Sequence, residues 1–193
     1  MIDYSLLGKS VEFYSSKGFQ RVEVPWTVTR EISNITKPIG AKEFRLLHEN
    51  DKVLVASAEQ SFLYQYAKGF LPKGKFQAIT PCFRFENFDC AHTKYFMKNE
   101  LIITDFGPDE DAKHLLDQMI SWAENFFRQH VPDINLLRIT SPDMKSFDIE
   151  YDGTEIGSYG IRTCPFLKWI YGTGLAEPRF SNTIKRKNYE LPS

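Results

Sequence analysis

The stretch from Lys75 to Thr104, KFQAITPCFRFENFDCAHTKYFMKNELIIT, restricts the fold more than any other part of the chain. Its first run, Phe76 to Phe85, is rich in aromatic and branched side chains, and its second, Tyr95 to Thr104, alternates well enough to pair with it. Asn87 to His92 between them is polar, so the pattern predicts two antiparallel strands joined by a loop. Arg84 and Glu86 then share one face of the first strand, and His92 and Phe96 arrive on the return.

Those side-chain types suit a nucleoside triphosphate: a guanidinium forks onto phosphate, a carboxylate accepts from an adenine amine, and an aromatic face stacks on the base. Arg and Glu two apart on a strand also read as a solvated ion pair of little energetic weight. The pattern is longer than that pair. F-R-x-E, a short loop, H-x-x-x-F and x-x-x-E are matched by Phe83, Arg84, Glu86, His92, Phe96 and Glu100. This order resembles motif 2 of the class II aminoacyl-tRNA synthetases. The approach Thr80-Pro81-Cys82-Phe83-Arg84 is most similar to the seryl branch, whereas the loop Asp89-Cys90-Ala91-His92-Thr93 with Phe96 is more similar to the phenylalanyl branch. The resemblance therefore points to a superfamily and not to one amino acid.

Upstream, Leu7, Val11 and Tyr14 at helical spacing predict a helix over Ser5 to Lys17, stopped by Gly18. Phe19 to Trp26 alternates and predicts a strand ended by Pro25. Helix, K-G-F, strand and proline resemble class II motif 1, which implies a dimer interface. Thr27 to Asn50 reads as loop and short turns around a helix-like patch at Ala41 to Leu47, followed by a short apolar strand, Val53 to Ala56. Ser57 predicts the N-cap of a helix over Ala58 to Lys68, with Gln60 completing a capping box. Glu59 is either a first-turn acid favoured by the helix dipole or, because Ser57-Ala58-Glu59 resembles the T-x-E signature of the seryl branch, a ligand of an amino acid's ammonium. Gly69 to Phe76 nearly spells a phosphate-binding loop, but Phe76 stands where a hydroxyl is needed and a helix precedes it, so it reads as a helix stop and turn.

Downstream, Asp109 is the expected N-cap of a long helix whose core stripe is Leu115, Met119, Trp122 and Phe126, widened by Leu116, Ile120 and Phe127. His48, His114 and His130 read as ordinary histidines. Strands are expected at Ile134 to Thr140, Phe147 to Tyr151 and from Thr154, the last two joined by an Asp152-Gly153 hairpin turn. A bulge at Gly157 would bring Glu155 and Ser158 to one ligand; otherwise Glu155 is an exposed strand acid. Glu155-Ile156-Gly157-Ser158 resembles the E-x-x-S metal element of the seryl branch. Tyr171 to Phe180 resembles motif 3, with Gly172, Gly174 and Arg179 in place, Ala176 for a third glycine, and Pro178 before the arginine. A glycine-rich turn into the basic tail Lys185, Arg186, Lys187 is the other reading.

The 193 residues suit one domain, and 42% hydrophobic against 25% charged residues marks a globular chain able to bury a core. A net charge of −1 supplies no global basic field for a polyanion, so any nucleic-acid contact must be local. Cys82, Cys90 and Cys164 are too few and too scattered for a disulfide framework or a zinc site, which fits a reducing cytoplasm. No secretory or membrane-spanning run is present.

The resemblance runs from about Ser5 to about Asn182 and implies an α+β fold, a class II aminoacyl-tRNA synthetase-like antiparallel β-sheet flanked by helices. It implies a single catalytic domain over 1–193, without an anticodon-binding or editing domain, paired as a homodimer. It implies ATP and Mg2+ as cofactors: Arg84 on the α-phosphate, Glu86 on the adenine amine, Phe96 and Arg179 sandwiching the base, with Arg179 and His92 at the γ-phosphate. Glu155 and Ser158 would hold magnesium, and Glu59 and Glu100 would face the amino acid. The expected activity is formation of an aminoacyl adenylate, with tRNA, a carrier protein or a small amine as acceptor; the alternative is an inactive paralogue acting as a binding or regulatory subunit.

Overall fold

The computed structural model describes residues 1–46, 51–84, 95–131, 135–140 and 146–190. Helix α1 (Tyr4–Ser15) starts where the Asp3 carboxylate accepts from the Leu6 N–H at 2.9 Å, and it buries Leu6, Leu7, Ser10 and Tyr14. Gly18 at φ +88° ends it, turning the chain so that the Phe19 N–H meets the Tyr14 carbonyl at 3.1 Å. The strand expected over Phe19 to Trp26 shrinks to β1 (Gln20–Arg21). One more bond, Val22 N–H to the Gln77 carbonyl, follows before the chain leaves the sheet to bury Val24.

The segment read as loop contains β2 (Thr27–Thr29) and α2 (Arg30–Thr36), and the expected short strand follows as β3 (Lys52–Leu54), antiparallel to β2. Thr29 caps α2 by accepting from the Ile32 N–H. The helix-like patch from Ala41 is not helical. Arg45 bridges to Val53, and the Leu54 N–H bonds to the Phe44 carbonyl at 2.9 Å, so this segment is extended against β3. Helix α3 (Ala58–Ala67) is capped by Ser57, whose hydroxyl accepts from the Glu59 N–H at 3.2 Å. The other arm of the expected capping box lands one residue early, with Gln60 Oε1 accepting from the Ala56 N–H at 2.8 Å. At its end Gly69 takes φ +72° and the Phe70 N–H returns to the Gln65 carbonyl, a helix stop and not a phosphate loop.

Strands β4 (Lys75–Phe83) and β5 (Tyr95–Ile103) pair antiparallel from Lys75 opposite Ile103 to Phe83 opposite Tyr95. The loop carrying Glu86 and His92 lies outside the described residues. Helix α4 (Asp109–His130) has Pro108 at its N-cap with no side-chain cap, one residue earlier than the expected Asp109. Strands β6 (Leu136–Thr140), β7 (Ser146–Tyr151), β8 (Thr154–Cys164) and β9 (Leu167–Glu177) follow, and then α5 (Arg179–Glu190). Asp152 and Gly153 join β7 to β8 with φ +50° and +67°, the two positive values that a tight hairpin turn requires.

The sheet order is β1-β4-β5-β9-β8-β7-β6, antiparallel except for the β1–β4 pair. Alternate residues of each central strand feed opposite faces. Leu101, Ile103, Tyr159 and Ile170 pack with α1 and α4, where Tyr14, Met119, Phe126 and Phe127 are fully buried. Ile102, Trp169 and Tyr171 face the other way, against α2, α3 and the β2–β3 pair.

Two adjacent strands carry a bulge at the same level. Ile149 pairs with Gly157 but Glu150 with Glu155, leaving Ile156 as an extra residue on β8. Asn99 pairs with Leu175 but Glu100 with Thr173, leaving Gly174 as an extra residue on β9. Each bulge converts an alternating spacing into one of three. Glu155 and Ser158 come to one face, with Ile156 as the extra residue in place of the expected Gly157, and so do Thr173 and Ala176. Glycine is required at the second bulge: a Cβ on Gly174 would stand 2.9 Å from Tyr14 Cε2, and its carbonyl accepts from the Tyr14 hydroxyl at 3.1 Å.

Candidate active site

On the α3 face of the sheet a cleft of about 310 Å³ runs across β5, β9 and β8. Arg84, Phe96, Arg179, Glu155, Ser158, Glu59 and Glu100, far apart in the chain, all line it. Phe96 marks its outer end, near Ala176, and Trp169 abuts its inner end; seven residues of β9 separate these levels, about 23 Å at ~3.3 Å each.

The outer end is built on the Phe96 ring, which is almost fully buried. The Arg84 guanidinium stands 5.2 Å from the ring centroid and that of Arg179 5.5 Å. Arg84 Nε donates to the Ala56 carbonyl at 3.2 Å, which ties it to the turn before α3. Arg179 opens α5 directly after Pro178 and donates from Nη1 to the Glu155 carboxylate at 3.2 Å. The proline thus leaves the arginine on the cleft, as expected from sequence.

In the middle, Glu100 is buried, with Lys98 Nζ at 2.7 Å and the Ser57 hydroxyl donating to the same oxygen. At the inner end Glu59 is equally buried. It accepts from Trp169 Nε1 at 2.7 Å and from Arg162 Nη1, whose guanidinium stacks 4.1 Å from the Tyr171 ring centroid. Glu59 is therefore no solvated first-turn acid. Burial pushes its carboxyl pKa up, opposed mainly by Arg162. Burial works against the Arg162 charge, yet Glu59 and Tyr171 beside it raise the guanidinium above its ordinary value.

Sequence reasoning missed Lys98, Arg162, Tyr171 and Trp169. A period of two would have found them: Lys98 lies two before Glu100, Arg162 four past Ser158, and Trp169 and Tyr171 lead to Thr173.

Ser158 pairs with Asp148 across β7 and β8, next to Tyr171. Burial raises the Asp148 carboxyl above its ordinary 3.8; the Ser158 hydrogen bond opposes this, and Glu155 and Glu150 add to it. A carboxyl that holds its proton more tightly when folded favours the fold fully below 3.8, and that contribution is lost as pH climbs through the raised value. Urea midpoints measured across that window are expected to fall for the wild type relative to Asp148→Asn; a constant difference would remove Asp148 from the pH dependence.

Among the described residues no group of three or more His, Cys, Asp or Glu side chains is placed to share a metal ion, and no helix is long and apolar enough to cross a membrane.

No family model matches the chain. The serine–tRNA ligase of Staphylothermus marinus is 25% identical over 169 residues, which cover 77% of this chain and 36% of that protein. The chain thus spans little more than a third of that relative's length. Among solved structures, the cytoplasmic serine-tRNA ligase from Naegleria fowleri in complex with AMP superposes with a TM-score of 0.74 at 20% identity, covering 98% of this chain and 49% of that one. The seryl-tRNA synthetase from Pyrococcus horikoshii complexed with ATP gives 0.76 at 17% identity, covering 94% and 50%. Sheet order and these likenesses give the chain the fold of a class II aminoacyl-tRNA synthetase catalytic domain.

Proposed function

We propose that this chain activates an amino acid with ATP, forming an aminoacyl adenylate and releasing pyrophosphate. The observation that carries the reading is one cleft with two chemically distinct ends: two guanidinium groups over an aromatic ring, then two buried carboxylates. Adenine would stack on Phe96 with Arg179 on its other side, which requires the guanidinium, now 5.5 Å from the ring centroid, to move outward, and Arg84 would reach the α-phosphate. Glu86 and His92, on the loop outside the described residues, take the adenine amine and the γ-phosphate in this reading. Glu59 and Glu100 face the amino acid. A carboxylate oxygen attacks the α-phosphorus, the bond to the bridging oxygen breaks, and pyrophosphate leaves with the electron pair. The attacking carboxylate is already ionised near neutral pH, so the site must align it and stabilise charge without a general base.

Glu155 and Ser158 fit a magnesium ion: both are hard oxygen donors on one face of β8, and Mg2+ takes few protein ligands when phosphates complete its shell. There it would draw charge from the phosphate oxygens. A second copy of the chain, docked through α1 and the segment after it, is the proposed partner, and the acceptor is tRNA, a carrier protein or a small amine.

One observation favours the alternative of a binding or regulatory subunit. Both buried acids are already paired with the chain's own cations, Lys98 and Arg162. Exchange of labelled pyrophosphate into ATP, run with each amino acid in turn and with magnesium, separates the two. Exchange with one amino acid is the expected result; folded protein that exchanges with none leaves only the binding subunit.

A further inference from the structure

In the middle and at the inner end of the cleft, both buried acids are paired before any substrate arrives. Glu100 meets Lys98 at 2.7 Å, Glu59 meets Arg162, and each acid has a further neutral donor, Ser57 or Trp169. An amino acid whose reacting carboxylate is drawn to the outer end brings an ammonium here, where both of these acids are already engaged. That adds a positive charge beside two cations in a buried site, which is costly. A second carboxylate on the same molecule offsets that charge.

Arg162 is placed to receive it. Its side chain keeps 39% of its surface exposed, whereas its partner Glu59 keeps 5%, so the cation is the member of the pair that a solute reaches. Glu59 engages it through Nη1. The guanidinium also lies over the Tyr171 ring at 4.1 Å from its centroid, and a guanidinium presents parallel N–H groups to a carboxylate. Residue 162 also lies on the cleft face of β8, in phase with Ser158.

We propose that the amino acid taken by this cleft carries an anionic side chain, bound through the open edge of the Arg162 guanidinium. The inference rests on the adenylation reading for which end of the cleft the amino acid occupies. Calorimetric titration without ATP tests it, using L-aspartate and L-glutamate against L-asparagine, L-glutamine and L-alanine. One acid is expected to bind about 100-fold more tightly than its amide, the scale of a charge-assisted pair. Arg162→Gln, which keeps an N–H for Glu59, is expected to bring acid and amide within about threefold while thermal melting shows a folded chain. Should that variant not fold, Arg162→Lys keeps the charge without the fork and is expected to cut the preference about tenfold.

Amides or alanine binding as well as the acids would overturn the proposal, as would binding of none of the five. A preference that survives the Arg162 substitutions overturns the assignment to Arg162. Pyrophosphate exchange keeps the two readings apart. Acid binding with no exchange sinks adenylation and supports this inference, and exchange with neutral amino acids alone does the reverse.

Discussion

Arg84→Ala is expected to lower the rate of pyrophosphate exchange by about 100- to 1,000-fold, the usual cost of removing one donor aimed at charge that develops during reaction. In the proposed site Arg84 is that donor, and the Ala56 carbonyl and Phe96 ring hold it ready before nucleotide arrives. Because the charge is largest in the transition state, the loss should fall mainly on kcat, with a smaller change in KM for ATP. The fold should survive, since the substitution removes a partly exposed side chain beyond the end of β4. Melting within a few degrees of the wild type would confirm that. Arg84→Lys keeps the charge without the fork and should recover only part of the rate. Exchange that survives Arg84→Ala would place the triphosphate elsewhere in the cleft.

Phe126→Ala is expected to cost about 3–5 kcal/mol of stability, measured by urea denaturation. The ring is fully buried and lies 5.4 Å from Phe13, 5.9 Å from Tyr14, 5.9 Å from Phe127 and 4.6 Å from His130, centroid to centroid. Side chains on all sides belong to α1, α4 and the sheet, so little can collapse into the space. The cleft is on the opposite face, so the folded fraction should keep its affinity for nucleotide. A loss below about 1.5 kcal/mol would mean that the surrounding rings close the cavity.

Sequence pattern revealed those elements whose signals are local. The β4–β5 hairpin, the Asp152-Gly153 turn, the Ser57 cap and the long α4 stripe each depend on residues within one or two turns of each other. Helix α2 was hidden because Ile32, Ile35 and Thr36 favour extended chain, leaving Thr29 as a cap without a persuasive helix behind it. Strand β1 was overdrawn because alternation in Phe19 to Trp26 reports burial of Val24 against α3's layer and not pairing in the main sheet. The site shows the same divide. Arg84, Phe96, Glu155, Ser158 and Arg179 stand in recognisable strings and do meet on one cleft. The Glu59–Arg162 pair joins residues 103 positions apart, and no local string announces it.

The stacked irregularities at Ile156 and Gly174 bear on how a ligand enters. Bulges on neighbouring strands bend both in register, so the surface is creased along one line and hollow on the side that carries Ser158 and Thr173. That hollow belongs to the backbone, and folding itself sets its curvature. In the proposed reaction a substrate would inherit a finished mould, so its binding energy would go to aligning reacting atoms instead of shaping the walls around them.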